Sequence, residues 1–172
     1  MHPNTDAFAK NLSDFAAVCR VVNGMKRFTI GVIGARTTKF KTVRYDEITL
    51  QKYGITCDTY DLSELFYRVE KMDGNSDAVK AKIEKLIGYT DFSSVPKDKT
   101  ETLAKVSVAI DEMMREYHLD CITLRCWEEM QTVLGVAPCV LLSELNDRGI
   151  VASCEIDLCS AINMYSMLFA SQ

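Results

Sequence analysis

Apolar positions along this chain follow helical and strand patterns in turn. From Thr5 to Lys26 they recur at gaps of four and three, as Phe8, Leu12, Phe15, Cys19 and Val22. That spacing lines one face of a helix. Thr5 or Asp6 caps its start, and Gly24 stands where it should stop. Because it precedes the first strand, it reads as an N-terminal helical arm, residues 1–26, lying across the sheet or against a partner subunit. Arg27 to Ala35 is nearly continuous in apolar residues, as expected of a parallel strand covered on both faces. A short helix over 45–53 ends at Gly54, and Ile55 to Tyr60 is the second strand. Asp61 and Glu64 stand at capping-box spacing. They open a helix to about Met72, broken by Asp73-Gly74-Asn75. Ser76 caps a charged helix that Gly88 ends. After a loop over 89–95, Pro96 suits the first turn of a long helix. Its buried face is marked by Leu103, Val106, Ile110, Met113, Met114 and Tyr117, and His118 closes it where a cation complements the dipole.

Asp120 to Cys126 is the third strand. It delivers Trp127, Glu128 and Glu129 at its carboxyl end. An aromatic followed by two acids there suits a sugar, since aromatics stack on sugar faces and carboxylates accept hydroxyl hydrogen bonds. The same residues also suit a helix start, with Trp127 packed inward and acids near the positive dipole end. A short helix beginning near Cys139 buries Leu141, Leu142 and Leu145. The turn Asn146-Asp147-Arg148-Gly149 leads to a fourth strand over 150–154. Glu155 and Asp157 follow, and then Leu158, Ile162, Tyr165, Leu168 and Phe169 at helical spacing. The chain is organised around this strand, acidic turn and helix, because open parallel sheets collect ligands at the carboxyl ends of their strands. Asp157 can serve there as a metal ligand or as an N-cap accepting amide hydrogen bonds. Strands alternating with helices imply an α/β fold over residues 27–172, a Rossmann-like open, mainly parallel sheet flanked by helices with right-handed crossovers.

Composition narrows the function. The 172 residues are 48% hydrophobic and 26% charged, which suits a soluble globular domain. A net charge of −4 provides no bulk attraction to nucleic acid or to an anionic membrane, so neither is expected as a partner. No apolar run approaches a membrane span, and no secretory signal opens the sequence. Seven cysteines without a C-x-x-C pair read as buried free thiols in a reducing, cytoplasmic setting. The C-x4-C spacings at 121/126 and 154/159 are wider than structural zinc sites usually use. The loop 34–44 carries Arg36, Lys39, Lys41 and Arg44 among threonines. It either holds an anionic or polyhydroxylated ligand or is simply solvated. It lacks G-x-G-x-x-G and G-K-[ST], which leaves a nucleotide-binding reading poorly supported.

Five segments taken together carry a resemblance: A-K-N-L-S-D-F-A-A-V-C-R-V-V-N-G-M (9–25), R-F-T-I-G-V-I-G-A-R (27–36), I-T-L-R-C-W (122–127), A-P-C-V-L-L-S-E-L-N-D-R-G-I (137–150) and A-S-C-E-I-D-L-C-S-A-I-N-M (152–164). In this order they resemble the middle region of L-fucose isomerase-like proteins, the group related to L-fucose and L-arabinose isomerases. Those enzymes are larger, with Rossmann-like domains followed by a β-rich C-terminal domain, and they assemble as oligomers. They interconvert aldoses and ketoses with a divalent ion, usually Mn2+. The resemblance implies that Asp157 occupies a metal-ligand position and that Glu155 has a supporting or ligand role. Both carboxylates are therefore catalytic and metal-site candidates, with Trp127, Glu128 and Arg36 as substrate-binding candidates. A hard ion with oxygen ligands would polarise the sugar oxygens, and a carboxylate would move the proton between adjacent carbons. The sequence departs from the pattern in two ways. The second catalytic carboxylate falls near Cys139, which cannot replace it, leaving Glu144, Glu128 and Glu129 as substitutes. The metal-binding His belongs to the C-terminal domain, and neither His2 nor His118 qualifies by position. The chain thus looks like part of a homo-oligomeric isomerase acting on a monosaccharide, with the N- and C-terminal domains of the parent enzyme as its partners. A non-catalytic sugar-binding or assembly module on the same scaffold is the alternative.

Overall fold

Both faces of the near-continuous apolar run beginning at Phe28 are covered, which is why it needs no polar alternation. It forms β1 (Phe28–Ile33), which pairs in parallel with β2 (Ile55–Tyr60) on one side and β3 (Cys121–Leu124) on the other. Beyond β3 lies β4 (Ala152–Cys154), so the sheet order is β2-β1-β3-β4, all parallel. These elements come from a computed structural model that describes residues 2–172. The expected α/β fold with a parallel sheet between helices is what the chain adopts.

Seven α-helices complete the described fold: α1 (Asp6–Met25), α2 (Glu47–Lys52), α3 (Leu62–Lys71), α4 (Asp77–Tyr89), α5 (Lys97–Glu116), α6 (Cys139–Asp147) and α7 (Leu158–Ser171). Phe28, Ile30 and Val32 point to one face, where Ile156, Leu158 and Ala161 join them at the start of α7. Ile33, Ile122 and Leu124 point to the other, against Leu65, Ile110, Met113, Leu141 and Leu145 of α3, α5 and α6. Gly31 is required between the layers, because a Cβ there would lie 2.4 Å from Leu119 Cδ1. Among the described residues, no helix is long and apolar enough to cross a membrane.

Helix starts follow the local chemistry. Side chains of Thr5, Asp46, Asp61, Ser76 and Asp157 each accept an amide hydrogen bond at an N-cap. Glu64 does not complete the expected capping box. It accepts instead from Arg68 and from the Tyr117 hydroxyl, tying α3 to the end of α5. Gly88 does not end α4 either. The helix runs to Tyr89 and is closed by Thr90 donating to the Leu86 carbonyl. Gly88 has open space around its Cα, and an exposed helical glycine costs only about 1 kcal/mol.

Within the chain, the sheet does not cover the bulkiest stripe of α1: Leu12, Phe15 and Val22 are 55%, 65% and 51% exposed. The helix docks on α7 by another side. A Cβ on Gly24 would lie 2.7 Å from the Phe169 ring, and Arg20 donates to the Phe169 and Ala170 carbonyls. The third strand is shorter than its apolar run, ending at Leu124 and releasing 125–129 as a loop.

Candidate functional site

The chain leaves β1 toward β2 on one side of the sheet and returns to β3 on the other. The connections that follow β1 and β3 therefore run in opposite directions, and such a switch point is where open sheets place their ligands. Three loops meet there: 34–44 after β1, 125–129 after β3, and 155–157 after β4. Gly34 (φ +94°) turns the first loop close against the Arg125 Cβ, which would lie 2.9 Å from an added Cβ.

Glu155 is the centre of this junction. It is only 6% exposed, and its carboxylate is fully engaged. Oε1 accepts from the amides of Cys126 at 3.0 Å and Trp127 at 2.9 Å, while the Thr37 hydroxyl donates to Oε2 at 3.0 Å. One side chain thus joins the loops after β1, β3 and β4. The turn that presents it is unusual: Glu155 and Ile156 have φ of 56° and 62°. Two successive non-glycine residues in this region cost about 1–3 kcal/mol each. Ile156, buried against the β1 face, and the cap formed by Asp157 hold the turn in place.

Asp157 occupies the capping position. Its Oδ1 accepts from the Ser160 amide at 3.0 Å and its Oδ2 from the Ser160 hydroxyl at 2.7 Å. Of its two sequence readings, this is the one its contacts express. Trp127 is exposed at the carboxyl edge of the sheet rather than packed inward, in a T-shaped contact with Phe40 at 5.4 Å. The Trp127–Glu128 peptide is cis, and Glu128 is exposed. Arg36 folds back to donate to the Thr37 and Phe40 carbonyls, bracing the basic loop. Arg125 donates to the Trp127 carbonyl at 2.8 Å and to Glu129 at 2.6 Å, which takes Glu129 into an ion pair. Glu144 is buried on α6 beside Arg148 and Lys85, and Cys139 is exposed. Arg36, Thr37, Trp127, Glu128 and Glu155 thus share the carboxyl edge of the sheet.

Two cysteines join Glu155, and sequence spacing did not pair them. The Sγ of Cys154, the last residue of β4, lies 3.4 Å from the Sγ of Cys126 and 3.7 Å from Glu155 Oε1. The C-x4-C partners lie elsewhere: Cys121 is buried in β3, and Cys159 is exposed on α7. Burial, Glu155 and Cys154 push the Cys126 thiol pKa far up. Burial, with Glu155 adding to it, also raises that of Cys154, against a smaller opposing effect of Cys126. Among the described residues this trio is the one group of three metal-ligating side chains brought together. Its donors are two sulfurs and one oxygen. A Mn2+ ion prefers oxygen ligands, so the donors assembled around Glu155 do not fit it.

No protein-family model matches the chain. Curated relatives do match. The chain is 29% identical over 168 residues to a sulfoquinovose isomerase of Priestia megaterium, a match covering 95% of this chain and 36% of that protein. It is 27% identical to a sulfoquinovose isomerase of Alkalicoccus urumqiensis, covering 37% of that protein, and 22% identical to one from a Clostridium species. These relatives correct the resemblance to L-fucose isomerases. The segments behind it are mostly strands and helices of the scaffold, which related α/β folds share. Across 95% of its length this chain is similar to just over a third of each of the sulfoquinovose isomerases from Priestia and Alkalicoccus.

Proposed function

We propose that the chain is the switch-point part of an aldose–ketose isomerase whose sugar carries an anionic group, with sulfoquinovose the type substrate. The observation that carries this reading is Glu155, a carboxylate held by donors from two loops, beside an exposed indole and a basic loop. The sulfoquinovose isomerases to which the chain is similar support the substrate class. Sulfoquinovose is a glucose-type sugar with a sulfonate in place of one hydroxyl. Its ring and its anion need different recognition. Trp127 offers an apolar face to the sugar ring, and Glu128 offers acceptors to its hydroxyls. Arg36, Lys39, Lys41 and Arg44 on the loop after β1 offer cations to the sulfonate.

The reaction asks little of the protein beyond a positioned proton carrier. A base removes the proton from C2 of the open-chain aldose, the electron pair becomes the C1–C2 double bond, and the C1 oxygen gains a proton. Returning a proton to C1 while the C2 hydroxyl loses its own completes the ketose. Glu155 is the carboxylate placed for this transfer, and its amide donors fix its position without a side-chain cation. Asp157 acts through the turn, holding Glu155 by capping α7.

Trp127 is the sole tryptophan in the chain, so its fluorescence reports this edge of the sheet directly. Titration with sulfoquinovose is expected to give a saturable change, weaker with glucose. In D2O the C2 proton should exchange with solvent, and Glu155→Gln should abolish exchange while retaining binding. Saturable binding without exchange makes the chain a sugar-binding module. Absence of both removes the proposal.

A further inference from the structure

We infer that Cys126, Cys154 and Glu155 form a binding site for a thiophilic divalent cation, with zinc as the type ion. The geometry carries this inference. Tetrahedral zinc with Zn–S bonds of about 2.3 Å separates two sulfurs by roughly 3.8 Å. With an oxygen at about 2.1 Å, a sulfur and the oxygen stand roughly 3.6 Å apart. Here the two sulfurs are 3.4 Å apart, and Cys154 Sγ lies 3.7 Å from Glu155 Oε1. One ligand atom from each of the three residues falls within 4.8 Å of the others. Two of the three separations thus lie within a few tenths of an ångström of the zinc values, and the third is held below 4.8 Å. A disulfide would instead require the sulfurs to close by more than about 1 Å.

The surroundings match a ligand site. Thr37 holds the other oxygen, Oε2, as outer-shell donors do in metal proteins, and an ion at Oε1 would replace one of the two amides that this oxygen accepts from. The three ligands sit at or just past the carboxyl ends of the adjacent strands β3 and β4, on the edge of the sheet where open sheets bind their ligands. Cys154 is partly accessible, which provides a route in. Three protein ligands leave one of four tetrahedral positions for solvent or an oxygen of a bound molecule. On binding, the thiols release their protons to water and the ion meets the resulting negative charge. Soft sulfur donors select zinc over manganese.

Cobalt(II) is the probe, because it substitutes for zinc and reports thiolate ligands by a sulfur-to-cobalt charge-transfer band. Added to the reduced 172-residue chain, it is expected to give a band saturating at one ion per chain and removed by zinc. Cys126→Ser and Cys154→Ser should each abolish the band. Cys159→Ser, at an exposed position on α7, should leave it unchanged. Thr37→Val, which frees Glu155 from its hydroxyl donor, should weaken cobalt about 10- to 100-fold. Circular dichroism of each variant separates loss of ligand from loss of fold. Zinc-edge X-ray absorption on the unaltered chain counts sulfurs without any substitution, and two are expected. The inference is overturned by a folded chain with no charge-transfer band, by a band that survives both cysteine substitutions, or by a zinc shell of oxygen and nitrogen alone. Because every readout is spectroscopic, its failure is distinct from failure of the sugar reading.

Discussion

Glu155 shows how much one side chain can organise. Its buried carboxylate satisfies the amides of Cys126 and Trp127 and the hydroxyl of Thr37. Removing it leaves those donors without a partner, and each buried unpaired group costs about 1–3 kcal/mol. Only the Cys126 amide is fully buried, and water can reach the other two donors, so Glu155→Ala should lower unfolding free energy by roughly 2–4 kcal/mol in urea titrations. Glu155→Gln, which keeps one acceptor oxygen for the amides, should lose about 1 kcal/mol. If both lost the same amount, the donors would not depend on this carboxylate. Asp157 belongs to a different account. As the cap of α7 it is worth about 1 kcal/mol, so Asp157→Ala should lose that much and Asp157→Asn much less. The strand-end carboxylates were legible in the sequence as a pair. The cap was legible as one of two readings of Asp157; the anchoring role of Glu155 was not, because its donors come from loops distant in sequence.

Among the elements, α1 gives the sharpest comparison. Gly24→Val places side-chain atoms where the Phe169 ring sits, and should cost about 1–3 kcal/mol by pushing α1 off α7. Phe15→Ser on the exposed side should shift stability by less than about 0.5 kcal/mol. Chemical denaturation of the two variants checks the packing side directly. Helix α5 poses a separate, pH-dependent case. Asp111 of α5 meets Lys82 of α4 at 2.6 Å and Arg148, just after α6, at 2.8 Å. Burial alone would raise its carboxyl pKa. Hydrogen bonds from Arg148 and Lys82 outweigh that and hold it below the ordinary value of 3.8. A depressed folded-state value means the contribution is present above the unfolded value and is lost as pH falls through the folded one. Stability should therefore fall more steeply below about pH 4 in the native chain than in Asp111→Asn. Equal acid slopes in urea titrations would refute the coupling.

For the whole molecule, the loops after β1, β3 and β4 meet at Glu155, so a ligand bound beside it would tie distant segments together. Sulfoquinovose at about 100 times its Kd should raise unfolding free energy by about 2.7 kcal/mol. Arg36→Gln, which loosens the brace of the basic loop, should reduce that gain at the same ligand concentration, read as a smaller rise in Tm. Element identity, helix caps and the α/β class were legible because each is written within one or two turns of chain. Thr5, Asp61, Ser76 and Asp157 could be read as caps for that reason, and all four act as caps. The parallel alternation followed from strands separated by helices. Tertiary structure alone decided the order β2-β1-β3-β4, the docking side of α1, and the meeting of Cys126 with Cys154 beside Glu155. Parallel strands pair across long crossovers, and no local period in the sequence encodes which strands become neighbours or which residues then face each other across them.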